Sequence, residues 1–456
     1  MKHTTLASVA KMAEGIILHG NPSTSVHSAH FDARLLEAGA LFVPIVGSRD
    51  GHDFISQAIE QGASAALISN QDKIPQDSPE NFGYILVNDT LRAFQKMASA
   101  YRKSFHMPFV AVTGSNGKTT TKDIIAHVLS QRNNVYKTFK NLNNHLGVPY
   151  SLLQLDDSHE VAVLELGMSH AGEIDLLADM LHPDYSVITH IGDAHLEFFG
   201  TREKIALAKA ELLPHTNPAG LVLLNGDSEY LRKVSHLYDG EVWFYSVNEQ
   251  ADIWADQITS DGQGTHYTVH IGSTDRLEVF LPLFGKHNVA NSLPAIAIAL
   301  RMGMTRDEII AALATVHISA MRFEVNHSST GAIIINDAYN ASPSSMKAAI
   351  DTFAEIFPER QKILVLGDMY ELGENSGELH ADIGIYLNQF EGTFEHLITV
   401  GVDAAELSHT FQGKKNHFKT KEEAEQLLAQ YNSAEYAILF KASRGMKLES
   451  LLEIIK

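Results

Sequence analysis

The residues Val110–Ala111–Val112–Thr113–Gly114–Ser115–Asn116–Gly117–Lys118–Thr119–Thr120 combine types that can hold a triphosphate. An apolar run leads into a glycine loop, and helix-forming sequence follows. Gly114 and Gly117 allow a tight turn whose N–H groups, with those of Ser115 and Asn116, converge on one concavity. A helix opening near Lys118 adds the positive end of its dipole, which favours an anion. Lys118 supplies a point charge for β- and γ-phosphate oxygens, and the Thr119 hydroxyl can ligate magnesium, with Thr120 behind it. The spacing is unusual. The standard loop has four residues between its first glycine and the Gly-Lys pair, which would require glycine at Val112. The bland alternative is a glycine turn that binds nothing.

Other polar clusters follow apolar runs. Glu165 ends Val161–Leu164 and could ligate a magnesium ion that bridges phosphates, or could be a capping or salt-bridged glutamate. Ser186–Ile191 reads as a strand whose carboxyl end projects Asp193 and His195, the latter a candidate for metal or phosphate. Asn141, Asn143 and Asn144 form a loop rich in donors and acceptors, more than a turn alone requires. Asn288 and Asn291 are spaced i, i+3 and share a helix face that could meet a purine edge; capping by Asn288 is the alternative. By residue chemistry alone, Lys209 in Glu203–Glu211 reads as a surface lysine with glutamate partners. Asp337–Met346, Gly367–Gly373 and Lys441–Gly445 also follow strand-like runs, and together they imply a second ligand-facing edge.

The elements that must position these residues read as α/β units. Short apolar runs at Leu41–Val46, Ala65–Ile68 and Tyr84–Val87 and a helical stretch over Leu91–Lys103 come first, and the expected strands are then Phe109–Thr113, Val161–Leu166, Ser186–Ile191 and Leu221–Leu224. Ala332–Asn336, Ile363–Leu366, His396–Val400 and Tyr436–Phe440 follow. A chain of 456 residues fits three domains of about 150 each. The net charge of −20 argues against nucleic acid or an anionic membrane as partner, so phosphates must be held by local cations and amides. The absence of cysteine excludes disulfides, thiolate metal sites and a cysteine nucleophile. No signal-peptide core and no long apolar run is present, so a cytoplasmic protein without membrane insertion is expected.

Taken together, these motifs resemble the Mur ligase family of amide-forming enzymes, whose phosphate loop is similarly short. The resemblance extends over nearly the whole chain. Phe31–Arg34, Leu41–Pro44 and Asp50–Phe54 resemble that family's UDP-binding domain, and Asp337–Pro343 with Gly367–Gly373 resemble its C-terminal domain. It implies an α/β protein of three domains: a small UDP-binding domain over 1–105, a central phosphate-loop ATPase domain with a mostly parallel sheet over 106–316, and a Rossmann-like domain over 317–456. It implies ATP and Mg²⁺, with Thr119, Glu165, His195 and a carbamylated Lys209 around the metal. Lys118, His195 and Lys209 would be catalytic. His287, Asn288 and Asn291 would contact adenine, and Arg322 and Asp337 the ribose or phosphates. Arg34 with Asp50, Gly51 and His52 would hold a UDP-sugar, and Asn141, Asn143 and Asn144 are substrate-side candidates. The implied substrates are UDP-N-acetylmuramoyl-tripeptide and D-alanyl-D-alanine, joined through an acyl phosphate to give a peptidoglycan precursor, and a monomer is expected. The chain departs from the family pattern at Ala33, Lys140, His145, Ser342 and Ala442. Rival readings are a relative that adds a single amino acid, folylpolyglutamate synthase, a kinase or nucleotide switch that forms no amide, and a silent nucleotide-binding scaffold. A folate enzyme would lack the N-terminal block.

Overall fold

The computed structural model describes Met1 and residues 4–272 and 274–455. Its largest sheet has nine strands, in the order Asp275–Leu281, Thr265–Ile271, Ile253–Ser260, Glu241–Ser246, Leu221–Asn225, Tyr185–Ile188, Phe109–Thr113, Val161–Glu165 and Val135–Lys137. A six-stranded sheet runs Glu324–His327, Ile333–Asn336, Tyr436–Lys441, Gln361–Gly367, Phe394–Val400 and Lys415–Phe418. A five-stranded sheet runs Ile16–His19, Gly83–Leu86, Ala65–Ile68, Leu41–Phe42 and Ala29–His30. The expected α/β class is what the chain adopts.

Two departures matter. The strand expected over Ser186–Ile191 ends at Ile188; the Thr189 N–H still bonds Thr113 O at 2.9 Å, but the Thr189 hydroxyl and the His190 carbonyl are taken up by the glycine loop and not by the sheet. Residues 241–281 add strands that the sequence did not lead one to expect. Ile253–Ser260, Thr265–Ile271 and Asp275–Leu281 pair antiparallel, so this part is a meander and not a further parallel unit. Leu277, Val279 and Leu281 are buried there while Arg276 and Glu278 face outward, the alternation of a half-buried strand.

The chain folds into two compact units. One comprises Met1–Val112, Arg132–Ser186 and Glu211–Leu221. The other comprises Thr113–Gln131, Val187–Ala210 and Val222–Lys456. Within the first, helix Thr90–Arg102 is capped by Asp89, whose side chain accepts the Arg92 N–H. Arg102 then donates to Leu181 O, His182 O and Phe105 O, with its guanidinium 3.7 Å above the Phe109 ring. Within the second, the six-stranded sheet is covered on both faces. Ile333, Ile335, Leu364, Leu366 and Leu439 pack into one apolar cluster, and Ile334, Ile363, Val365, Ile438 and Phe440 pack into another. Such two-sided burial explains why these strands read as continuous apolar runs.

Candidate active site

The phosphate loop, from Thr113 onward, lies in the second unit. Phe109–Thr113 delivers the chain into the loop, and helix Lys118–Leu129 leaves it, with left-handed Gly117 as its N-cap. Gly114 has φ +149°, and a Cβ there would fall 1.9 Å from Thr189 Oγ1. Gly117 has φ +81°, and its Cβ would meet Asn291 Oδ1 at 2.4 Å. Both positions therefore require glycine for conformation and for space. The Ser115 N–H donates to His190 O at 2.7 Å, and Thr189 Oγ1 donates to Asn116 O at 2.5 Å, which anchors the loop from the neighbouring strand end. Gly114→Ala should cost at least about 2 kcal/mol of stability or displace the loop. Thermal melting beside ADP release checks this, and wild-type values in both would count against the assignment.

Lys118 Nζ curls over its own loop, donating to Gly114 O at 2.8 Å and Ser115 O at 3.3 Å. Asn116 reaches the opening turn of helix Pro343–Glu355. Its amide donates to Ser344 Oγ at 2.9 Å, and its Oδ1 accepts from Ser342 Oγ at 3.3 Å. Ser342, one of the departures from the family pattern, also caps that helix reciprocally with Ser345. Arg322 Nη2 donates to Thr119 Oγ1 at 2.9 Å, so two expected site residues 203 positions apart are brought together.

Lys209 corrects the reading made from residue chemistry. It is 2% exposed on helix Arg202–Ala210, whose Ile205, Ala206, Ala208 and Ala210 are also buried. Burial, and then the positive charge of Lys118, hold its amine well below the usual lysine range. No hydrogen bond or ion pair to this amine occurs among the described residues.

His195 is in the left-handed region, φ 65°, and precedes the short helix Leu196–Phe199. It lies beyond the end of the strand at Ile188, so a loop places it and not the strand end itself. Its Nδ1 is 2.7 Å from Glu371 Oε2, an ion-pair distance with poor hydrogen-bond alignment. That contact holds the Glu371 carboxyl below its ordinary range against the opposing effect of burial. Asp193 is committed to a two-pronged pair with Arg202, at 2.7 and 3.0 Å.

Asn288 and Asn291 do share a helix face. The cap of Lys286–Arg301 is Gly285, so Asn288 is not its cap. Asn288 Nδ2 donates to Phe284 O at 2.9 Å, Asn291 Nδ2 donates to Asn288 Oδ1 at 3.2 Å, and Thr121 donates to Asn291 Oδ1 at 3.3 Å. Burial, opposed by Asp337, pulls His287 down to about 4, so the ring is neutral at pH 7. Asp337 holds Lys441 Nζ at 2.6 Å on one oxygen and the Phe323 N–H at 3.1 Å on the other. Thr189, Ser344, Glu371 and Lys441 were not singled out from the sequence. Their runs were visible for the last three, but the partners lie too far away in the chain to be read.

The first unit carries the remaining candidates. Glu165 is buried at the end of its strand, with its N–H on Thr138 Oγ1 at 2.9 Å and its Oε1 accepting from Asn143 Nδ2 at 2.8 Å. Asn144 Oδ1 accepts the Leu146 and Gly147 N–H groups at 3.1 and 2.9 Å, starting helix Gly147–Leu153. The Asn141 carbonyl accepts the Asn143 N–H at 2.8 Å. Arg34, exposed, forks onto Asp32, whose carboxyl is held down to about 2 chiefly by that bond. Asp50 Oδ1 accepts the His52 N–H and faces His52 Nδ1 at 2.6 Å, while His52 Nε2 accepts the Ser69 N–H at 3.0 Å. The proton is therefore on Nδ1, and the buried His52 ring braces the turn that begins at Gly51.

Among the described residues, no three His, Asp or Glu side chains cluster to hold a metal. Magnesium held largely by phosphates and water needs no such cage. No helix among them is long and apolar enough to cross a membrane.

Three family models match successive parts of the chain: the Mur ligase family catalytic domain at 25–102, the Mur ligase middle domain at 112–299, and the Mur ligase glutamate ligase domain at 321–444. The chain is 38% identical over 459 aligned residues to the UDP-N-acetylmuramoyl-tripeptide–D-alanyl-D-alanine ligase of Bacillus subtilis (strain 168), covering 98% of this chain and 97% of that one. The chain belongs to the Mur ligase family. Among solved structures of that family, MurF from Acinetobacter baumannii aligns with TM-score 0.90 at 30% identity, covering 99% of this chain and 98% of that one. The MurF ligase from Thermotoga maritima in complex with ADP aligns with TM-score 0.84 at 29% identity, covering 94% and 97%. As Mur ligase members do, the chain uses ATP to form an amide bond.

Proposed function

We propose that this protein joins D-alanyl-D-alanine to UDP-N-acetylmuramoyl-tripeptide, giving the pentapeptide precursor of peptidoglycan. The observation that carries this reading is the end-to-end likeness to the Bacillus subtilis ligase, which leaves almost none of its length without a counterpart. The segments 1–105, 106–316 and 317–456 are taken as the UDP-binding, ATP-binding and C-terminal domains. The enzyme acts in the cytoplasm as a monomer.

In the reaction, an oxygen of the tripeptide's terminal carboxylate bonds to the γ-phosphorus of ATP while the bond to the ADP oxygen breaks. The dipeptide amine then bonds to the acyl carbon, inorganic phosphate leaves, and the amine gives up a proton. Both reactants of the first step are anionic. Lys118 and the loop N–H groups of Asn116, Gly117 and Thr120 lower that repulsion, while the Ser115 N–H is spent on His190 O, and Arg322 beside Thr119 adds a second cation. His287, Asn288 and Asn291 orient the adenine, and Asp337 the ribose. Arg34, Asp50 and Gly51 hold the UDP group, and Asn141, Asn143 and Asn144 the substrate side.

A buried lysine amine with neither a bond nor a counter-ion among the described residues fits a residue that is modified in the working enzyme. Carbamylation of Lys209 would replace the amine by an anionic oxygen donor suited to magnesium. Within the second unit, Thr119, His195 and carbamylated Lys209 would hold Mg²⁺, which supplies neutralisation of phosphate charge when bound; Glu165 is a further metal-ligand candidate, carried by the first unit.

ADP release should require both the UDP-tripeptide and D-alanyl-D-alanine. Equal release with a single amino acid would assign the chain to a sister ligase. Release with no amine at all would favour the kinase or switch.

A further inference from the structure

Arg322 sits between two residues held in the left-handed region, Met321 at φ 64° and Phe323 at φ 55°. Neither is glycine, so this backbone is strained and persists only where surrounding bonds over-determine it. Carboxylates supply those bonds at alternate residues. Asp123 Oδ2 accepts the Ser319 N–H at 2.9 Å and the Ser319 hydroxyl at 2.6 Å. Glu324 accepts the Met321 N–H at 2.9 Å, and Asp337 accepts the Phe323 N–H at 3.1 Å. Between these ties the Arg322 guanidinium lies 4.3 Å from the centre of the Tyr339 ring and donates to Thr119 Oγ1.

Asp123 stands apart from the other two because it belongs to helix Lys118–Leu129, the helix that opens on Lys118 and Thr119. It is four residues past Thr119, one helical turn away and on the same face. It is 1% exposed, and its Oδ1 faces Lys122 Nζ at 3.4 Å. One rigid helix thus carries Thr119 and also fixes the root of the segment that aims Arg322 at it.

We propose that Asp123 is a positioning residue for the phosphate-transfer step, setting the reach of Arg322 through Ser319. This rests on the reading of Arg322 as a nucleotide contact. A carboxylate suits the position because Oδ2 accepts two donors while Oδ1 faces a cation. An asparagine would turn an NH₂ group toward one side or the other. With the tie loosened, the strained residues relax and Arg322 loses its aim, while the UDP-substrate binds as before.

The test is a double-mutant cycle read by steady-state ADP release. Ser319→Ala removes an exposed hydroxyl and keeps the buried carboxylate, so folding is preserved, and a thermal melt checks it. Asp123→Asn removes the charge. The expected results are a loss in kcat of about threefold for Ser319→Ala and at least about tenfold for Asp123→Asn, with KM for the UDP-substrate unchanged. In an Arg322→Lys background, neither substitution should lower kcat further. Multiplicative losses in that background would overturn the proposal. So would wild-type kcat in Ser319→Ala, which decides alone if Asp123→Asn fails to fold. An impaired Arg322→Lys beside fully active Asp123 and Ser319 variants would sink the positioning role only. A fully active Arg322→Lys would sink the reading of Arg322 and the proposal with it.

Discussion

Lys118→Ala should abolish ADP release while leaving the fold intact. The ammonium donates to the Gly114 and Ser115 carbonyls and stands at the start of helix Lys118–Leu129, whose dipole is positive at that end. Removing it leaves the loop N–H groups but takes away the positive charge that offsets repulsion between carboxylate and triphosphate. Losing one such stabilising group typically costs a hundred- to a thousandfold, or roughly 3–4 kcal/mol in the barrier. The measurement is single-turnover ADP formation beside a thermal melt. Turnover within tenfold of wild type, with an unchanged melt, would show that the phosphates are held elsewhere.

Lys209→Ala is the second large effect. Activity should fall by at least about a hundredfold and stay low at every bicarbonate concentration, because the variant has no amine to carbamylate. A small carboxylic acid that enters the space left by the side chain should restore part of it, whereas Lys209→Arg should not respond. A fully active Lys209→Ala enzyme would refute the carbamate. The same residue predicts a pH effect on stability. In CO₂-free buffer burial holds this amine below lysine's ordinary range in the folded protein, so between the folded and the ordinary value the unfolded chain keeps a proton that the folded one has released. The unfolded state then binds more protons, so stability rises with pH through the window up to lysine's ordinary value. Lys209→Met should flatten that rise in urea titrations at pH 7 and pH 9.

How much of this was legible in the sequence varies by residue. Phe109–Thr113 and Lys118–Leu129 were readable because an apolar run, two glycines and a lysine each have one local explanation. The inner strands of the six-stranded sheet fell within about two residues of expectation, since burial on both faces leaves uninterrupted apolar runs. The edge strands Glu324–His327 and Lys415–Phe418 were not seen, because polar edge sequence carries no such run. The Arg276–Leu281 alternation was present in the sequence but was hidden by the expectation of parallel units. Burial of Lys209 could not be read, because a helix of alanine, lysine and glutamate looks solvated until something packs on it. Asp123 and Ser319 lie 196 residues apart, and no local pattern joins them.

The division of the chain into interleaved segments bears on how the protein is made. The segment Thr113–Gln131, with Lys118 near its start, belongs to the unit completed by Val222–Lys456, although Arg132–Ser186 belongs to the other. A nascent chain emerging from the ribosome can assemble much of the first unit early, and its glycine loop meets Thr189 and His190 soon after, but helix Lys118–Leu129 gains its bonds to Asn291, Ser319 and Arg322 only in the last half of translation. Pairings of such long sequence separation form slowly and leave apolar surface exposed meanwhile. Helix Lys118–Leu129 is therefore among the last parts of the molecule to be made safe from aggregation.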